Sequence, residues 1–276
     1  MANILVGTAS WTDKSLIACK RFYPRGCTSA EDRLRFYASQ FPIVEVDSSY
    51  YAMPSVGNSQ LWAERTPDGF VFNVKAFRAL TTHQTPHVAL PPDLRPLVDA
   101  KGKPNVYAKD LPGEVWEELW RRFLLALQPL RDAGKLGALH FQFPPWFVTK
   151  RDSYDYLDEV RQRLADYTVA IEFRHKSWFS PATQDATLAF EREREFVNVI
   201  VDEPQGSANS IPSVWEVTNP SLAIVRLHGR NQATWNIQGA IAASDRFNYD
   251  YTQAELKDLA TPIRAVASHS RMTHVI

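Results

Sequence analysis

Several short apolar runs in this 276-residue chain end in polar residues spaced two apart. Glu45 and Asp47 close the run 43–47, Asn73 and Lys75 close 70–75, and His140 and Gln142 close 136–142. Glu172 and Arg174 close 168–174, and Arg226 and His228 close 222–228, with Arg230 just beyond. Asp202 ends the run 196–202. Residues two apart share one face of a strand, so each pair is presented together. Carboxylates and imidazoles so placed can do general acid–base work, which makes Glu45, Glu172, Asp202 and His228 the candidate catalytic groups. Lys75, Arg174, Arg226 and Arg230 can hold an anion, arginine through paired hydrogen bonds. Asp47, Gln142 and the loop residues His83 and His175 complete the polar substrate-binding candidates.

Aromatic residues follow the same runs: Trp11, Tyr50, Tyr51, Trp146, Trp178 and Trp235. Flat side chains beside charges can wall a sugar ring or a base, and Trp11, Tyr50, Trp178 and Trp235 join the substrate-binding candidates. The competing reading of these aromatics is packing of loops onto a rim. The competing reading of the charges is an internal ion-pair network that fills the interior.

No cofactor is expected. A divalent metal is the alternative, with Glu172, Asp202 and His228 as its candidate ligands. Against it, Arg174 and Arg226 share the faces of the would-be ligands, and their charge opposes a cation. The chain has no Walker loop, no nucleophile elbow and no dinucleotide fingerprint.

The elements that must position these residues are legible in the same runs. Eight β-rich segments (4–8, 43–47, 70–75, 136–142, 168–174, 196–202, 222–228 and 272–276) alternate with helical stretches. That alternation indicates parallel strands joined by crossovers, and eight in this length is the count of a TIM-type (β/α) barrel. Barrel strands are covered outside by helices, so a polar face must point inward or to the strand ends. Helix starts are expected at a Thr28/Glu31 capping box, at Ser55, at Asp152 or Ser153, at Ser180–Pro181 and at a Thr252/Glu255 capping box. A stripe through Trp116, Leu119, Trp120, Phe123, Leu124 and Leu127 marks a long helix. The connection 203–219 lacks such a stripe and reads as an irregular loop. The whole of 1–276 reads as one barrel domain, with a Pro-rich excursion over 79–112 after the third strand.

Composition narrows the partners. Lys+Arg and Asp+Glu both number 31, giving zero net charge, so no broad basic surface favours nucleic acid. No apolar run approaches the roughly 20 residues of a membrane span. The N-terminus enters a strand without a basic region, which reads as cytoplasmic, and Cys19 and Cys27 read as free thiols.

Ordered motifs run through nearly the whole chain: Gly7-Thr8-Ala9-Ser10-Trp11, Phe22-Tyr23-Pro24, Phe36-Tyr37-Ala38, and Glu45 through Tyr51. Phe72-Asn73-Val74-Lys75-Ala76 with Thr82-His83 follows, then Phe141-Gln142-Phe143-Pro144-Pro145. Glu172-Phe173-Arg174-His175 with Ser177-Trp178 and Val225 through Arg230 with Trp235 complete the set. Together they resemble the bacterial family catalogued as domain of unknown function 72, also called YecE-like. The resemblance implies a TIM-type barrel and no particular reaction. That family usually carries Asn where this chain has Asp47, which adds a negative charge. Its pattern also runs on past the eighth strand, so that strand is expected to be incomplete and the final helix missing.

The functional expectation is an enzyme acting on a small anionic or phosphate-bearing substrate, a sugar phosphate or a nucleic-acid-like molecule. Phosphoester hydrolysis is favoured over isomerisation. The alternatives are a metal-dependent sugar isomerase, epimerase or endonuclease-like activity, and a non-catalytic ligand- or protein-binding barrel.

Overall fold

The structure is a computed structural model that describes residues 3–206, 210–235 and 247–276. Its strands are β1 (Asn3–Ala9), β2 (Ile43–Val46), β3 (Val71–Lys75), β4 (Thr85–Pro86), β5 (Asn105–Val106), β6 (Leu136–Gln142), β7 (Val169–Glu172), β8 (Val197–Asp202), β9 (Leu222–Leu227) and β10 (Met272–Val275). Eight of them close a barrel in the order β1-β10-β9-β8-β7-β6-β3-β2. The eighth barrel strand, expected to be incomplete, is formed. All four residues of β10 pair in parallel with β9, from Met272↔Leu222 to Val275↔Val225. The chain divides into two compact units: Val6–Phe141, and Gln142–Ile276 together with Met1–Leu5.

In the C-terminal unit, the outer faces of the strands are apolar because a helix covers them. Ala223 and Val225 of β9, Ile200 of β8 and Val275 of β10 pack with Val266 of the helix Gln253–Ser268. Alternation then turns Ile224 and Arg226 to the opposite, inner face. Thr252 and Glu255 form the expected capping box of that helix. Two other starts differ from expectation. The helix Arg151–Arg163 begins ahead of Asp152, and the helix Gln184–Glu193 begins after Thr183. Ser180 instead bonds the Thr183 hydroxyl, and its carbonyl accepts from Gln184, so it shapes the turn before the helix. The described part of the connection 203–219 has no helix, as expected, and 207–209 lie outside the described residues.

In the N-terminal unit, the helix Ala30–Gln40 is capped by Ser29 and Asp32, one residue later than the Thr28/Glu31 box expected. The helix Gly113–Asp132 buries Val115, Leu119, Trp120, Phe123, Ala126, Leu127 and Leu130 along one stripe. The register of β3 against β6 shifts between Phe72 and Val74. There the Asn73 amide oxygen accepts from the Ala138 N–H at 3.0 Å, replacing a ladder bond. A Cβ at Gly137 would lie 2.5 Å from that oxygen, so only glycine admits the contact. The excursion 79–112 is ordered by an antiparallel β4–β5 ladder and short 3-10 turns, with Leu90, Leu94, Val98 and Val106 buried beneath. Arg122 of the long helix pairs with both oxygens of Asp93 and ties the excursion down.

Candidate functional site

β7, β8 and β9 of the C-terminal unit deliver a network of four charged side chains and one histidine. Glu172 ends β7 fully buried, and each of its oxygens faces a guanidinium. Arg174 Nε lies 2.5 Å from Oε1, and Arg226 NH1 lies 2.8 Å from Oε2. Arg226 NH1 also lies 2.8 Å from His228 Nε2, and Arg174 NH2 lies 3.4 Å from the same nitrogen. A guanidinium only donates, so Nε2 accepts and the imidazole proton sits on Nδ1. Nδ1 faces Glu203 Oε2 at 3.4 Å, and Arg174 NH1 reaches that oxygen at 3.5 Å. The other Glu203 oxygen accepts from the Ile211 N–H at 2.8 Å, which fixes the carboxylate. His228 stacks at 26° on the buried Trp235 and lies 5.5 Å from the half-exposed Phe247 ring.

A brace adjoins this network. Arg230 Nε and NH2 clamp Asp202, and the Tyr251 hydroxyl donates to Asp202 Oδ2 at 2.7 Å. The same hydroxyl accepts from the Gly229 N–H at 2.9 Å. Gly229 has φ 82°, which only glycine adopts freely, and a Cβ there would strike Tyr249 at 2.5 Å. Burial, with the Asp202 carboxylate next in effect, pushes the Tyr251 phenol well above its usual range. The hydrogen bond to Asp202 holds Arg230 further above its own.

The N-terminal unit holds a second, differently built cluster. Glu45 Oε2 and His140 Nδ1 pair at 2.9 Å, both nearly without exposure. Lys75 Nζ lies 3.3 Å from Asp47 Oδ1 in a partly exposed pair. The Tyr50 ring has Lys75 Nζ 5.4 Å and the Arg78 guanidinium carbon 5.1 Å from its centroid. The His83 ring meets it edge-on at 5.1 Å. Burial raises the Tyr50 and Tyr51 phenols, with the Arg78 charge opposing it in both.

The sequence-derived candidates are thus sorted by their partners. Asp47, Arg174 and His228 lie just past the strand ends instead of within them. Glu172, Arg174, Arg226, His228 and Trp235 converge; Asp202 and Arg230 belong to the brace; Glu45, Asp47, Tyr50, Lys75 and His83 lie in the N-terminal cluster. Gln142 is half-buried at the end of β6. Two aromatic expectations are corrected. Trp178 is a core residue and not a ring wall: fully buried, it stacks 4.0 Å from Phe173 and bonds the Phe147 carbonyl. Trp11 is likewise packed edge-on against Trp62 and Phe72, although its buried indole N–H has no acceptor among the described residues. His175 serves as a cap, its Nδ1 accepting from the Ser177 N–H. Sequence reasoning missed Glu203, Tyr251, Arg78 and the pairing role of His140. Glu203 and Arg78 stand beyond a strand end, where alternation no longer assigns a face.

The donors do not fit a cation. Both Glu172 oxygens are turned to arginine, and both Asp202 oxygens to Arg230 or Tyr251. Among the described residues no three His, Cys, Asp or Glu side chains gather as a metal-holding group. No described helix is long and apolar enough to cross a membrane.

Comparison with known proteins agrees with the motifs. The family described as "Protein of unknown function DUF72" matches residues 5–276. The UPF0759 protein YunF of Bacillus subtilis (strain 168) is 34% identical over 257 residues, covering 92% of this chain and 81% of that protein. The crystal structure of a DUF72 family protein from Enterococcus faecalis V583 superposes with a TM-score of 0.75 at 27% identity, covering 100% of this chain and 90% of that one. Another, from Thermotoga maritima MSB8, gives 0.73 at 26% identity, covering 99% and 91%. With the barrel and its strand-end motifs in place from β1 to β10, the chain belongs to the DUF72 family.

Proposed function

We propose that the chain is an enzyme for a small phosphate-bearing substrate, bound at the ends of β7, β8 and β9. The observation that carries this reading is Arg174. Its Nε is clamped to Glu172, while NH1 and NH2 reach their partners only at 3.5 and 3.4 Å. A phosphate oxygen pair would offer those two nitrogens shorter, charge-assisted bonds. His228 would handle the proton. With Nδ1–H turned to Glu203, Nε2 is its basic atom. An attacking water would replace the arginine hydrogens now on it and give Nε2 its proton as the new P–O bond forms, and the proton would then pass to the departing alkoxide. Glu172 acts through both guanidiniums as a positioning residue. Trp235 and Phe247 offer flat surfaces beside His228 for a sugar or base ring. Phosphoester hydrolysis suits these groups better than metal-dependent isomerisation, because the carboxylates face arginine.

A non-catalytic binder is the second reading, favoured by the balance of three carboxylates (Glu172, Asp202, Glu203) against three guanidiniums (Arg174, Arg226, Arg230) at these strand ends. Calorimetric titration with inorganic phosphate, run beside a turnover screen over phosphoesters and sugar phosphates, separates the two. Arg174→Met is expected to weaken phosphate binding about 10- to 100-fold. His228→Asn is expected to lower turnover by about 10²- to 10⁴-fold and leave binding in place. Phosphate binding without turnover of any substrate supports the binder. An Arg174→Met protein that binds phosphate as the parent does sinks both.

A further inference from the structure

The turn after β3 has features the site above does not use. Arg78 opens the 3-10 turn Arg78–Thr81, three residues past Lys75. It has no carboxylate partner, and its buried Nε has no hydrogen-bond partner among the described residues. Thr82, which ends the turn, is β-branched yet adopts the left-handed conformation with φ 61°. Its buried hydroxyl is likewise without a partner among the described residues. Backbone strain and orphaned polar atoms in one turn are found where a ligand is expected to complete the bonding. Next to this turn, Thr81 Oγ1 holds His83 Nδ1 at 2.8 Å and so sets the ring against Tyr50.

We propose that Lys75, Arg78 and His83, gathered around the Tyr50 ring, form an oxyanion site contained in the N-terminal unit, which takes the phosphate or carboxylate group of a small ligand. Three nitrogen-bearing side chains approach one ring within 5.4 Å. Two of them are cations; Glu45 of the same cluster faces His140, and Asp47 pairs with Lys75 and not with Arg78 among the described residues. The Arg78 charge is left facing a phenol ring, a weaker partner than an oxyanion. Asp47 is therefore a built-in competitor: it occupies the Lys75 ammonium that an incoming anion would share. Asp47 lies at the helix Ser48–Tyr51 without capping it through its side chain, so its carboxylate has no helix to hold.

The test is calorimetric titration of the full chain with inorganic phosphate, in the parent, Arg78→Met, Asp47→Asn and Arg174→Met proteins, with acetate as competitor. Arg174→Met weakens uptake by the C-terminal unit and leaves the site proposed here. In that background, Arg78→Met is expected to weaken phosphate binding about 10- to 100-fold. Asp47→Asn is expected to tighten it up to about fivefold, by releasing Lys75. A gain in affinity cannot come from misfolding, so the second variant guards the first. Displacement of phosphate by acetate would extend the ligand class to carboxylates, and failure to displace would restrict it to phosphates. Loss of all phosphate uptake in Arg174→Met alone overturns the proposal, as does binding unchanged by both Arg78→Met and Asp47→Asn.

Discussion

The two strand-end clusters use the same residue types and differ in how these are paired. In the C-terminal unit, Glu172, Glu203 and Asp202 face Arg174, Arg226 and Arg230, and His228 links both arginines of the first group to Glu203. In the N-terminal unit, Glu45 meets His140, Lys75 meets Asp47 in a partly exposed pair, and Arg78 faces a ring. A shared network makes every member depend on the others, since removing one charge leaves its partners buried and uncompensated. A partly exposed pair such as Lys75 with Asp47 can fail alone. Pairing, more than composition, therefore decides which cluster is needed for stability and which leaves a charge available to a ligand.

Truncating one acid in each cluster gives the largest contrast. Glu172→Ala leaves two nearly buried guanidiniums opposed, and should destabilise the fold by about 3 to 5 kcal/mol. Asp47→Ala breaks a pair that water already screens, at a cost of about 1 kcal/mol or less. Urea unfolding of the two variants decides the matter. Equal losses would mean that the C-terminal network is no more interdependent than an isolated pair.

Two groups in the C-terminal unit sharpen the contrast by pH. His274 of β10 is buried, and desolvation holds its pKa down to about 4. The unfolded chain takes up the proton near pH 6.5 and the folded chain does not. Stability from this group is therefore complete above pH 6.5 and falls as pH drops toward 4, by up to about 3 kcal/mol. Glu191 is the opposite case. It is fully buried, neither oxygen has a partner among the described residues, and burial raises its carboxyl well above 4.5. Its unfolded form ionises first, so stability is complete below pH 4.5 and declines as pH rises through the folded value. Glu191→Met should remove that decline and stabilise the protein at pH 8 by roughly 1 to 3 kcal/mol. Melting temperature across pH 4 to 9 measures both. A flat profile would show that burial is not enough to shift either group.

The strand count and the inward faces were legible because period-two alternation is a direct consequence of strand geometry. Ala223 and Val225 had to meet a helix, so Arg226 had to turn away from it. Cap positions were less legible: Thr28-Ser29-Ala30-Glu31-Asp32 satisfies a capping box in two registers, so local sequence does not choose between them, and the helix uses Ser29 with Asp32. Aromatic roles were misread for a physical reason. Trp178 follows a strand end, as a ring wall would, yet it completes a stack with Phe173 and Phe147 that no local pattern announces. Alternation tells which face a charge takes and nothing about its partner. Asp202 thus read as a catalytic acid, while its bonds to Arg230 and Tyr251 make it a brace, and Glu203 beyond the last strand residue went unseen.

The same substitution made in both clusters is the finest test of the comparison. Tyr251→Phe removes a hydroxyl that donates to Asp202 and accepts from the Gly229 N–H. It leaves a backbone donor without that acceptor beside an anchored carboxylate, at an expected cost of about 1 to 2 kcal/mol. Tyr50→Phe keeps the ring that Lys75, Arg78 and His83 surround, and the Tyr50 hydroxyl bonds no described residue. Its expected effect on stability is within about 0.5 kcal/mol. Thermal unfolding of both variants reads the difference directly. If Tyr50→Phe costs as much as Tyr251→Phe, the N-terminal phenol is part of a network like its counterpart's, and the division between a braced cluster and an open one fails.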